Sequence, residues 1–198
     1  YMQVTRGVAP RDHVFPSASV RPALVMTAKS IDMGVGERIA KSGIAVITVP
    51  ENRWPRVDIK SVGLLPNVLA REEAKRAGAR EAWFVDRDGY VTEGAATNAW
   101  IVTMDGVIVT RPAEFGILRG ITRTVVLEVA ERLGLRVEER AFTPDEAKAA
   151  REAFITAATQ IVMPVVKIDG ETVANGEPGS VATELRKHFF DVAEISIF

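Results

Sequence analysis

The chain is predicted to form a mixed α+β domain rich in hairpins. Strand-sized apolar runs recur along it, and turn pairs such as Asp88-Gly89, Asp105-Gly106 and Asp169-Gly170 join several of them. Far fewer segments keep a helical apolar period through to a stop glycine. Hydrophobic residues make up 47% of the 198 residues, enough for a sizeable core and too many for a disordered chain.

Taken in order, residues 1–6 and 22–28 have strand composition, with a polar loop from Val8 to Pro16 between them. The first strand is already under way at Tyr1, which gives the expectation that an N-terminal stretch is missing. Ser30 to Gly36 carries two glycines and no apolar period and reads as a linker, so the chain is divided into domains 1–33 and 34–198. Ile44 to Val49 is a β-branched run, read as a buried strand. Val57-Asp58-Ile59 is read as a half-buried strand leading into Lys60. Residues 66–78 predict a helix with Leu65, Val68, Leu69 and Ala77 on one face and Gly78 as its stop. Hairpins follow around 86–89 and 105–106. A second helix opens at Thr122 with the stripe Val125, Val126, Val129, Ala130 and Leu133, ending at Gly134. Val137 to Phe142 is read as a strand, and Thr143-Pro144-Asp145-Glu146 as a capping box. Strands are expected at 153–156, 162–168 and 171–173, and a closing helix at 180–192.

Composition excludes several classes. The 25 basic and 26 acidic residues leave a net charge of −1, so no global field favours nucleic acid or an anionic membrane. With no cysteine there are no disulfides, thiolate nucleophiles or cysteine metal sites, and two histidines make a zinc site a poor fit. No apolar run is long enough to span a bilayer, and no secretory leader is evident, so a cytoplasmic protein is expected. Nucleophile-elbow, P-loop and dinucleotide fingerprints are missing.

Four segments could carry chemistry. Lys60 ends a semi-apolar run, and a desolvated lysine becomes a nucleophile; alone it reads as a lysine at a strand end. Glu93 precedes Gly94-Ala95-Ala96-Thr97-Asn98, small residues that would let a flat ring approach the backbone; alone it is a carboxylate in a turn. Gly120-Ile121-Thr122-Arg123 leads into a helix whose free N–H groups and dipole could hold a phosphate, or it is plain capping with Thr122 or a neighbour as cap. In Pro10-Arg11-Asp12-His13 the arginine could grip a carboxylate with two parallel hydrogen bonds, or the loop is a solvated ion pair. His188 is read as surface or packing.

In order and spacing, these segments resemble the fold type IV aminotransferases that use pyridoxal 5′-phosphate. The carriers are Tyr1 to Gly7, Pro10 to His13, Arg53-Trp54, Asp58 to Ser61, Leu64 to Asn67, Thr92-Glu93-Gly94, Asn98 and Leu118 to Arg123. The resemblance implies a remnant of the small N-terminal α/β domain in 1–33. It also implies a large cofactor-binding domain in 34–198, with a β-barrel-like core and flanking helices. Lys60 would form the internal aldimine as a Schiff base and shuttle the proton. Glu93 would pair with the pyridine nitrogen and keep the ring an electron sink. Ile121 and Thr122 would bind the phosphate, Leu118 would pack against the ring, and Thr97 would support the site.

Arg11 and His13 are spaced as the carboxylate trap of D-amino acid aminotransferases. The resemblance therefore implies transamination of D-amino acids, such as D-alanine or D-glutamate, with a 2-oxo acid acceptor, by a homodimer. The alternatives are a branched-chain L-amino acid aminotransferase and a truncated, non-catalytic remnant of the same fold. The family's phosphate-binding arginine and substrate-side tyrosine precede Tyr1. Ala158 stands where relatives often carry a phosphate-binding threonine, and Thr159 would face the other side of a regular strand.

Overall fold

Alternation of side chains along extended runs decides most of this architecture. The computed structural model describes residues 1–114 and 116–192. Packing divides the chain into two compact units, Tyr1–Met33 and Gly34–Phe198.

In the first unit, β1 (Met2–Thr5) pairs antiparallel with β2 (Ala23–Met26), Met2 opposite Met26. Gly7 follows β1 at φ +96°, and a Cβ there would meet the Arg21 carbonyl oxygen at 2.1 Å, so only glycine closes the turn. The loop beyond it is largely exposed, with the Arg6 guanidinium 5.8 Å from the Phe15 ring.

The second unit is built on one mixed nine-stranded sheet. Helix α1 (Met33–Ser42) enters it, followed by β3 (Ile44–Pro50), α2 (Leu65–Arg76), β4 (Glu81–Val85), β5 (Val91–Gly94), β6 (Asn98–Val102) and β7 (Ile108–Thr110). Then come α3 (Ile121–Arg132), β8 (Val137–Glu139), α4 (Pro144–Lys148), β9 (Glu152–Ala157), β10 (Ile161–Ile168), β11 (Glu171–Thr172) and α5 (Ser180–Val192). The strand order is β5-β4-β3-β10-β9-β6-β7-β8, with β11 paired to β10. β3 runs parallel to β4 with α2 as the crossover, and parallel to β10 on its other side. β5 packs back against β6, and Gly94 N–H donates to the Thr97 carbonyl at 2.7 Å. The strands from β5 round to β6 thus curl into a barrel-like core whose seam is the connection 95–97.

Residues on these strands are buried on both faces, and the period of two sorts them. On β6, Ala99 and Ile101 join an inner core with Val46, Trp83, Ile155 and Met163. Trp100 and Val102 point the other way, into a second core closed by α3 and α5. There Trp100 stacks on Phe154 at 5.4 Å between ring centroids and donates from Nε1 to Thr156 Oγ1 at 2.9 Å. The hairpins form at the expected glycines: Gly89 and Gly106 have positive φ, and Asp169 and Gly170 both do, as a two-residue type I′ turn requires. Thr143 caps α4 by accepting from Glu146 N–H at 3.1 Å.

Four expectations need correction. The linker at 30–36 is in part helix: α1 runs through Gly34 and Gly36 despite their helix cost of about 1 kcal/mol each. Packing of Ile39 and Ala40 into the inner core, and the Glu37–Arg186 ion pair at 2.6 Å, hold it. Residues 57–59 are turn and bend, not strand. On α2 the face turned to the sheet is Ala70 and Ala74, one turn apart, against Val49, Ala82 and Phe84. Leu65, Val68 and Leu69 are exposed, Leu65 at 68%. Finally, β8 stops at Glu139, short of the expected 142.

Candidate active site

The barrel seam and the start of α3 frame one cavity of about 1410 Å³. Its lining brings together Lys60, Glu93, Thr97, Leu118, Ile121 and Thr122. Arg11 and His13 belong to the unit Tyr1–Met33, where both are exposed and Asp12 Oδ1 accepts from His13 N–H at 2.6 Å.

Glu93, at the end of β5, is buried. A buried carboxylate needs donors, and it has three. Arg53 Nη1 donates to Oε1 at 2.6 Å, while Asn98 Nδ2 at 3.0 Å and Leu118 N–H at 3.1 Å donate to Oε2. Burial pushes its pKa up to about 7, against the pull of the Arg53 guanidinium and the Leu118 N–H.

Arg53 sits in the bend just past the end of β3, two residues after Glu51. Its fork meets both Glu51 oxygens, Nε to Oε1 at 2.8 Å and Nη2 to Oε2 at 2.6 Å. Its guanidinium lies 4.4 Å from the Phe84 ring. Thr92 Oγ1 donates to Glu51 Oε2 at 2.8 Å and accepts from Arg53 Nη2 at 3.3 Å. Burial alone would raise the Glu51 carboxyl; the Arg53 guanidinium overrides it and holds Glu51 below the usual range.

Asn98 opens β6 and spends both amide hydrogens, one on Glu93 and one on the Leu118 carbonyl at 2.9 Å. Its Oδ1 lies 2.2 Å from where a Cβ on Gly120 would sit, so Gly120 has to be glycine. Gly120 is the N-cap of α3, with extended backbone and no side-chain cap bond. The cap is therefore this glycine and not Thr122, and the first N–H groups of α3 carry the positive end of its dipole. Thr122 is buried and Ile121 is 72% exposed; both border the cavity. Below the same turn Arg123 is buried, donating to Glu139 and to the Arg111 carbonyl.

Lys60 lies in the loop between β3 and α2, exposed and on the cavity lining. Ala158 and Thr159 fall in the turn after β9 rather than on a regular strand, and both line the cavity. The strand alternation expected to turn Thr159 away does not apply there. The roles of Glu51 and Arg53 escaped sequence reasoning. The available signal was a Glu-x-Arg at a strand exit beside an expected buried acid. Chemically, the cavity offers an amine, a buried carboxylate with one free lone-pair direction, and a helix start suited to an anion.

A family model described as amino-transferase class IV matches residues 1–168. The D-alanine aminotransferase of Staphylococcus epidermidis is 42% identical over 189 residues, covering 96% of this chain and 66% of that protein. That of Bacillus licheniformis is 42% identical over 186 residues, covering 94% and 64%. The chain thus spans just under two thirds of the length of these relatives. Among solved structures, the T.th. branched-chain amino acid aminotransferase complexed with N-(5′-phosphopyridoxyl)-L-glutamate is similar with a TM-score of 0.73 and 35% identity, covering 77% of this chain and 52% of that one. The branched-chain enzyme of Escherichia coli is similar with a TM-score of 0.76 and 28% identity, covering 89% and 58%.

Proposed function

We propose that this chain, which belongs to the class IV amino-transferase family, carries the cofactor-binding part of a pyridoxal 5′-phosphate-dependent enzyme. In this reading the enzyme moves the amino group of D-amino acids, such as D-alanine or D-glutamate, to a 2-oxo acid. The observation that carries it is Glu93, buried in the same cavity as Lys60 and the uncapped start of α3.

The residues fit the cofactor. Glycine at 120 keeps a Cβ out of the closest approach between Asn98 and α3, and glycine at 94 does the same beside Thr97, where a Cβ would meet Oγ1 at 2.0 Å. When bound, the cofactor supplies an electron-withdrawing ring that takes up the charge left as the substrate Cα–H bond breaks. Lys60 would hold the cofactor through its amine and, when that amine is free, would serve as the base that takes up and returns the substrate Cα proton. Glu93 would accept from the ring N–H, Ile121 and Thr122 would hold the phosphate, Leu118 would pack on the ring, and Thr97 would steady the seam next to Glu93. Arg11 and His13 would take the substrate carboxylate. The 42% identity to D-alanine aminotransferases supports the D hand.

In the same proposal, residues 1–33 end a smaller N-terminal domain and residues 34–198 form the large one. The working assembly is a homodimer, and the protein is cytoplasmic. Among the described residues no helix is long and apolar enough to cross a membrane.

The test is the absorbance of the purified full-length protein with cofactor supplied. A lysine-linked cofactor band is expected, lost in Lys60→Ala and bleached by D-alanine. Absence of that band in the wild type refutes the reading. A branched-chain L-specific enzyme is the second reading, favoured by likeness to the T.th. structure. Faster bleaching by L-leucine than by D-alanine would select it.

A further inference from the structure

Glu93 presents an unusual balance. An acid that is to keep a ring nitrogen protonated must itself be an anion, because a neutral carboxyl donates a proton where it should accept one. Burial alone favours the neutral form. Something in the fold has to oppose it.

The opposing group is Arg53. Its Nη1 meets Glu93 Oε1 at 2.6 Å, and the other edge of the guanidinium is taken by Glu51 through two parallel bonds. Phe84 covers its face and Thr92 closes the remaining side. Arg53 has a side-chain exposure of 5% and Glu93 of 6%, so the pair is little screened by water. Arg53 and Glu51 are the charged groups acting on Glu93. Asn98 and the Leu118 N–H, from β6 and the segment before α3, are neutral donors to its other oxygen.

We propose that Arg53, gripped by Glu51 and stacked on Phe84, is a positioning residue that favours the anionic form of Glu93 against its burial and keeps the carboxylate in place for the ring nitrogen. The three donors occupy three of the four lone-pair directions of the carboxylate. They leave one on Oε1 for the ring N–H: Asn98 and Leu118 fill Oε2, and Arg53 supplies the positive charge beside the oxygen that is left to be presented. Glu51 keeps the fork in register: its two bonds fix the guanidinium plane, and a lysine cannot reproduce them together with the bond to Glu93. The inference rests on the cofactor reading of this cavity, yet its first test needs no cofactor.

That test is a carbon-13 titration of the Glu93 carboxyl in cofactor-free protein labelled at glutamate, the signal assigned with Glu93→Gln. In Arg53→Gln the Glu93 midpoint should rise by about one to three pH units, the range for loss of an adjacent opposite charge. Arg53→Lys should fall between the two. A midpoint unchanged in a folded Arg53→Gln protein overturns the proposal. If that variant fails to fold, Arg53→Lys decides: a raised midpoint supports the idea and an unmoved one sinks it.

In cofactor-loaded enzyme the acidic limb of the D-alanine half-reaction should shift upward by the same amount in Arg53→Gln. Activity lost at neutral pH should then return at alkaline pH, which a merely damaged fold would not show. A shifted titration in protein that takes up no cofactor would leave the Arg53 inference standing and remove the function proposed above.

Discussion

Gly120→Ala is expected to damage the site through one neighbour alone. Gly120 has φ −64° and ψ 137°, which alanine adopts freely, so the backbone contributes no cost. The new Cβ would lie 2.2 Å from Asn98 Oδ1, with Asn98 Cγ at 3.4 Å and Arg123 Cβ at 3.6 Å. Asn98 cannot move away cheaply, because its amide holds Glu93 and the Leu118 carbonyl. Displacing it gives up a charge-assisted bond of about 1.5–3 kcal/mol and a neutral one of about 1 kcal/mol, part of which water restores. The expected loss of stability is about 2–4 kcal/mol, read as a fall in denaturant midpoint at unchanged slope. The diagnostic arm is a double-mutant cycle. In an Asn98→Ala background the obstacle is gone, so Gly120→Ala should then cost less than about 0.5 kcal/mol, a coupling of about 2 kcal/mol or more. Equal cost in both backgrounds would refute the steric argument.

Two further outcomes are expected. Trp100→Ala should cost about 3–5 kcal/mol in chemical denaturation, since the ring is fully buried, stacks on Phe154 and bonds Thr156. The second concerns pH. Glu93 is raised from 4.5 to about 7 in the folded state, so the folded protein binds the extra proton between those values. The associated stability is full below about pH 4.5 and is lost as pH rises through about 7, an effect on the order of 3 kcal/mol. Denaturant midpoints at pH 5 and pH 8 should therefore diverge more in the wild type than in Glu93→Gln; equal divergence would rule this out.

The elements most legible in the sequence were those where local chemistry and tertiary packing agree. Asp88-Gly89, Asp105-Gly106 and Asp169-Gly170 turn because glycine tolerates positive φ, whatever surrounds them. The capping box at Thr143 and the stop at Gly134 are equally local. The misses share the opposite character. In α1, a tertiary contact through Ala40 and the Glu37–Arg186 pair outweighs two helix-weakening glycines. In α2, the assumption that larger apolar residues face inward fails, because alanines 70 and 74 pack on the sheet while Val68 and Leu69 border the cavity. At the site, order and spacing singled out Lys60, Glu93 and the start of α3, and these border one cavity. The clamp of Glu51 on Arg53, and of Arg53 on Glu93, was not: it joins residues 40 apart in sequence, and a charge list does not say which acids are buried.

The seam of the barrel has one more implication, for how the chain can vary in length. Residues 95–97 are all that separates Glu93 and Gly94 from Asn98, and the Gly94–Thr97 hydrogen bond closes the sheet over that span. One inserted residue would shift Asn98 out of reach of Glu93 and unpair β5 from its packing on β6. The hairpin tips at 86–89 and 103–106 join strands without contributing to the cavity lining, so loops can lengthen there at little cost. Insertions and deletions should accordingly accumulate at those tips, while the short seam acts as a ruler of fixed length between the acid and the amide that orients it.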